Sequence, residues 1–126
     1  MHPLVDKWIA ALESDEYTQG TQYLRSKYNK FCCLGVLCDL AVKDGLLEEP
    51  TLNLDRYIYG SDAAYNMVPE SLAKELNMSV SGYYGDNYHT DNMCLWRDND
   101  LNHKSFKEIA QIIRYNSDKL FSHANN

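Results

Sequence analysis

The sequence predicts an α+β fold: a mainly helical, compact single domain with one small antiparallel sheet or hairpin. Three observations carry this expectation. Apolar residues recur at helical spacing near both ends, around Trp8 and around Ile109. The run Phe31-Cys32-Cys33-Leu34-Gly35-Val36-Leu37-Cys38-Asp39-Leu40-Ala41 is apolar almost all round, as a buried helix requires. The strand-prone stretches between them are short and bounded by turn signals. At 126 residues, with 44% hydrophobic and 24% charged residues, the chain can bury one core without staples. No repeat or linker divides it, so residues 1–126 are taken as one domain.

Each element has its own signature. In residues 3–14, Leu4, Val5, Trp8, Ile9 and Leu12 share one helical face, and Pro3 suits the first helical position. Thr18-Gln19-Gly20-Thr21 reads as a turn. Thr21, Tyr23 and Leu24, then Tyr28, Phe31 and Cys32, flank the polar tip Ser26-Lys27 and predict a short hairpin. A buried helix follows over about 33–43, stopped by Gly45 in a left-handed conformation. A short strand is expected at 56–59, and Pro69 opens a brief helix that ends at Leu76 and buries Leu72 and Ala73. Residues 78–92 hold no Lys or Arg, two glycines and three tyrosines, and read as a long functional loop. Ser105-Phe106-Lys107-Glu108 is a capping box that starts a helix reaching at least Tyr115, with Leu120 docking beyond it.

Composition excludes several functions. A net charge of −6, from 12 basic and 18 acidic side chains, argues against an extended nucleic-acid partner. No apolar run approaches the roughly 20 residues needed to span a bilayer. The N-terminus lacks the basic region of a signal peptide, so a cytoplasmic location in a bacterial host is expected. Cys32, Cys33, Cys38 and Cys94 have no metal-ligand spacing and read as small buried hydrophobes. Neither a metal nor a cofactor is implied, and no P-loop, GxGxxG, HExxH or GxSxG occurs. No residue is assigned as catalytic.

The candidate ligand-binding residues are polar exceptions within this pattern. Arg25 lies beside the predicted core, where its planar fork suits a phosphate or carboxylate. The structural alternative pairs it with Asp39, an acid set inside the apolar helix, and is favoured. Gln19 offers an amide beside the close-approaching backbone of Gly20. Asn99 and Asp100 precede the capped helix, where a helix N-terminus favours anions. The ten tyrosines, Tyr83 and Tyr84 among them, suit a protein interface or a compact ligand. They also make the insertions plausible contact surfaces for a homo-oligomer.

Trp8…Ala11-Leu12-Glu13-Ser14, Tyr17-Thr18-Gln19-Gly20, Leu24-Arg25 and the Cys32-to-Ala41 run resemble a family of small uncharacterised proteins from phages, prophages and bacteria. Val68-Pro69 and Asn99-Asp100…Ser105-Phe106…Glu108-Ile109-Ala110…Ile113 are similar to its later segments. Residues 48–66 and 78–92 lie outside that pattern. The resemblance implies a phage-linked origin and one domain, and supplies no mechanism. The leading expectation is a phage-type binding protein, counter-defensive in role. It would sequester a small anionic, nucleotide-like signal or occupy a host protein. The alternatives are a small hydrolase or nucleotide-processing enzyme using Asp39, Asp100 or His103, and a structural or accessory virion protein.

Overall fold

The computed structural model describes residues 2–86 and 93–123. Helix α1 (Pro3–Glu13) starts as its sequence dictates: Pro3 occupies the first turn, and His2 Nδ1 accepts the Leu4 N–H at 3.1 Å. Its buried face, led by Leu4, Val5, Trp8 and Leu12, packs against two later helices, α2 (Cys33–Lys43) and α5 (Phe106–Tyr115). The Trp8 indole Nε1 donates to Cys33 O at 2.9 Å, which ties α1 to the start of α2. A Glu13–Arg114 ion pair, with Arg114 Nη2 to Glu13 Oε1 at 2.9 Å, joins the far end of α1 to α5.

The expected turn at 18–21 opens instead with a two-residue strand. Thr18–Gln19 (β1) pairs in parallel with Lys30–Phe31 (β2), and Gly20 N–H extends the pairing to Phe31 O at 2.8 Å. The expected 21–32 hairpin shrinks to one antiparallel bridge, Arg25 with Phe31, around a turn held by Ser26. Leu24 is the reason. It is fully buried, and its backbone crosses α2, so the chain dives inward rather than pairing along its length. A Cβ on Gly35 would lie 1.6 Å from Leu24 O, which leaves room for glycine alone at that crossing.

Helix α2 is buried along most of its length and closes on Gly45 at φ +79°. Leu46 N–H reaches Ala41 O at 2.8 Å and Gly45 N–H reaches Val42 O at 3.0 Å, the paired bonds of a Schellman stop. The strand expected at 56–59 forms as β4 (Arg56–Ile58), antiparallel to β3 (Thr51–Asn53). Its other edge bonds to the 25–27 segment, through Tyr57 N–H to Arg25 O and Lys27 N–H to Asp55 O, each 2.9 Å. Helix α3 (Glu70–Leu76) follows Pro69 and ends at Asn77 in the left-handed region.

Helix α4 (Leu95–Asp100) was not expected. It has fewer than two turns, and two of its polar residues, Asp98 and Asn99, point into the core. That inverts the pattern by which an amphipathic helix is recognised. Helix α5 carries the predicted capping box in full: Ser105 Oγ accepts the Glu108 N–H at 3.1 Å, and Glu108 Oε1 accepts the Ser105 N–H at 2.9 Å. The short α6 (Ser117–Leu120) then buries Leu120. Among the described residues no helix is long and apolar enough to cross a membrane. Part of the predicted loop 78–92, residues 87–92 with Tyr88 and His89, lies outside the described residues.

All four cysteines are buried thiols. Burial pushes the Cys32 thiol up to about 12 and raises Cys33 and Cys38 well above the ordinary thiol range. A folded value above the unfolded one gives a contribution that is fully present below the unfolded thiol pKa of about 8.5. It is lost as pH rises from there toward the folded value. Urea denaturation across pH 7 to 11 is therefore expected to show falling stability above about pH 8.5. Replacing Cys32 with Ala is expected to flatten part of that fall. Gly35→Ala is expected to cost about 3 kcal/mol or more, or to prevent folding, in the same assay, because the new methyl meets rigid backbone.

Candidate functional site

Three of the sequence-predicted residues meet at one point. Asn99, 1% exposed, uses both ends of its amide twice. Its Oδ1 accepts from Gln19 Nε2 at 2.9 Å and from the Cys33 N–H at 3.1 Å. Its Nδ2 donates to Gly20 O at 2.9 Å and to Asp100 Oδ1 at 2.8 Å. Gln19 Nε2 also donates to Lys104 O at 2.9 Å, and Asp100 Oδ2 accepts the Gln22 N–H at 3.0 Å. Asn99 and Asp100, expected to serve the N-terminus of the capped helix, make these bonds elsewhere. They end α4, and the helix start that Asn99 serves is that of α2. Cys32, the N-cap of α2, has no side-chain oxygen to offer, so Asn99 supplies the missing acceptor from a distant element.

A shallow cavity of about 230 Å³ adjoins this knot, lined by Gln19, Gly20, Thr21, Asn99, His103 and Lys104. A larger one of about 450 Å³, beside His2 and Glu75, holds none of the predicted residues. Asp98 and Tyr84 form a neighbouring buried pair: the Tyr84 hydroxyl donates to Asp98 Oδ2 at 2.6 Å, and Asn102 Nδ2 donates to Asp98 Oδ1 at 3.1 Å. Burial, then the hydrogen bond to Asp98, raises the Tyr84 phenol. Tyr83 turns the other way, with its ring edge-on to His123 at 5.6 Å.

Arg25 and Asp39 do not pair, contrary to the favoured expectation. Asp39 Oδ2 accepts from the Tyr17 hydroxyl at 2.5 Å and pairs with Lys43, one turn along α2, at 3.2 Å. Asp followed four residues later by Lys is a favourable local arrangement that needs no distant partner. Burial and the Asp39 hydrogen bond push the Tyr17 phenol up to about 12. Arg25 sits on the neighbouring strand segment, across from Tyr57. Its guanidinium carbon lies 4.1 Å above the Tyr57 ring centroid and 5.6 Å from that of Phe31. Nε donates to Asn29 Oδ1 at 2.8 Å, and no carboxylate pairs with the guanidinium among the described residues. Arg56, whose backbone bridges Ser26 next door, stacks instead over Tyr65 at 4.5 Å. Strand alternation places the two arginines on opposite faces.

The sequence reading missed Asp98, Tyr57 and Tyr59 as individuals. The tyrosines carried a signal, since they alternate along a predicted strand with an arginine before them. Asp98 carried none. Among the described residues no group of three or more His, Cys, Asp or Glu could hold a metal ion.

Asn99 provides the test of the knot. Asn99→Asp keeps one acceptor but turns the donor into a second acceptor facing Gly20 O and Asp100. It is expected to cost about 2–4 kcal/mol at pH 7 in urea denaturation. The introduced carboxyl would be held protonated in the folded state, so the deficit should shrink as pH falls.

Neither a search of curated proteins nor a search of solved structures finds a significant match. The family model described as Domain of unknown function (DUF8296) matches residues 1–117, and the chain belongs to that family.

Proposed function

We propose that this chain is a non-enzymatic binding protein that sequesters a small anionic ligand, with phosphate-bearing nucleotides as the first class to consider. One contrast supports the reading. Asp98, Asn99, Asp100, Gln19 and Asp39 are each engaged by neighbouring groups. Arg25, by comparison, is a stacked guanidinium with no carboxylate partner among the described residues. Groups already bonded to each other suit a scaffold, because acid–base work would have to break those bonds first. An arginine packed over an aromatic ring has part of its freedom already restricted, which lowers the entropic cost of engaging an oxyanion.

In a phage-encoded setting such a protein would act against host defence by lowering the free concentration of a nucleotide signal. That role needs tight binding and no turnover, which fits the absence of any catalytic motif in the sequence. The exposed Tyr28 and Tyr115 would serve contacts with other chains, a host protein or a second copy included.

Native mass spectrometry of the protein purified from bacterial cells, followed by thermal shift across a nucleotide panel, tests the reading. A ligand at about 100 times its Kd is expected to raise Tm by roughly 10 °C in the wild type. Arg25→Gln should abolish that shift while leaving the circular-dichroism spectrum unchanged. A purified protein carrying no ligand and showing no shift across the panel would sink the proposal. Retention of a stoichiometric host protein in place of a small molecule would move the function to protein occupation.

A further inference from the structure

We infer that the Tyr59 hydroxyl and the Arg25 guanidinium together form the subsite for a phosphoryl group of the bound ligand. The inference rests on the binding reading above and gives it an address.

Tyr59 is 1% exposed, and no well-formed hydrogen bond reaches its hydroxyl among the described residues, although the Arg25 guanidinium stands beside it. A buried phenol normally finds one, because leaving it unsatisfied is costly. Its surroundings make it a donor: burial raises the phenol, and the nearby Asp39 adds to that, so it keeps its proton at neutral pH. The Arg25 guanidinium is close enough to act in the opposite direction on the same group. Asp39, which would repel an anion here, is already compensated by Lys43 and by the Tyr17 hydroxyl.

The two groups stand on fixed backbone. Tyr59 exchanges both of its main-chain hydrogen bonds with Ala64, each 2.8 Å, and the Tyr57 N–H holds Arg25 O at 2.9 Å. The arginine side chain itself is anchored more lightly, by one exposed hydrogen bond from Nε to Asn29. An oxyanion engaging the Nη groups can therefore shift the guanidinium toward itself. The phenol O–H then becomes a further donor to the same anion. A second unpartnered buried atom, Arg56 Nε, offers no comparable site, since that guanidinium already pairs with Asp55 at 3.6 Å.

Tyr59→Phe separates a hydroxyl reserved for a ligand from one that serves the fold. The wild type, Tyr59→Phe and Arg25→Lys are titrated calorimetrically with inorganic phosphate, pyrophosphate and nucleoside mono- and triphosphates. Tm is recorded for each protein without ligand. The expected result is a Tm for Tyr59→Phe equal to or above wild type. Its affinity for the best-bound phosphate compound should fall about tenfold or more, and Arg25→Lys should be weakened as well. Equal affinity for inorganic phosphate and nucleotides would identify a free-phosphate site; preference for nucleotides would add contacts beyond the phosphoryl group. Either is consistent with the subsite. A Tm drop of several degrees in ligand-free Tyr59→Phe would overturn it, because the hydroxyl would then be bonded within the fold. Unchanged affinity in Tyr59→Phe with weakened binding in Arg25→Lys would also overturn it, yet leave the binding reading standing. No binding of any of these compounds by the wild type would remove both.

Discussion

The Asn99 amide is the constraint on which the arrangement of this protein depends. One side chain closes four hydrogen bonds to four separate places: the β1 amide of Gln19, the Gly20 carbonyl, the first N–H of α2 and the neighbouring Asp100. An amide has two acceptor and two donor sites, and all four are filled. Because the group is buried, loss of any partner leaves a polar atom with neither water nor protein to answer it. The register of β1, the start of α2 and the end of α4 are consequently fixed relative to one another.

This explains how a helix as apolar as α2 can begin where it does. Its N-cap is a cysteine with no capping oxygen, and helix starts buried without partners are unfavourable. Asn99 and the Trp8 indole, which bonds Cys33 O, tie that start to α4 and α1. Two residues further on, Gly35 admits the Leu24 backbone. The segment that follows Leu24 is thereby brought out beside β4, and Arg25 is left facing Tyr57 rather than Asp39. The scaffold and the proposed ligand site are consequences of the same crossing: the chain that must pass over α2 delivers the arginine to the aromatic face.

The motif residues that carry the family resemblance acquire physical reasons in this frame. Gln19, Gly20, Cys33, Asn99 and Asp100 all belong to the knot, and Gly35 to the crossing. Such residues read as functional in a sequence because polar groups and glycines stand out among apolar ones. Here most of them are engaged in holding elements together. The buried hydroxyl of Tyr59, one of ten tyrosines, is far less conspicuous in sequence.

Elements governed by local chemistry were legible in the chain alone. The faces of α1 and α5, the capping box at Ser105, the Schellman stop at Gly45 and the burial of α2 each follow from residues within a few positions of one another. The α+β class follows from their sum. The parallel β1–β2 pair, helix α4 and the separate partners of Arg25 and Asp39 were decided only by tertiary structure. Each depends on a group supplied from elsewhere in the chain, as when Asn99 accepts from Gln19 and Cys33 across 80 and 66 residues. Local propensity reports what a segment prefers. A saturated buried amide reports where distant segments must meet, and no spacing rule in the sequence encodes that.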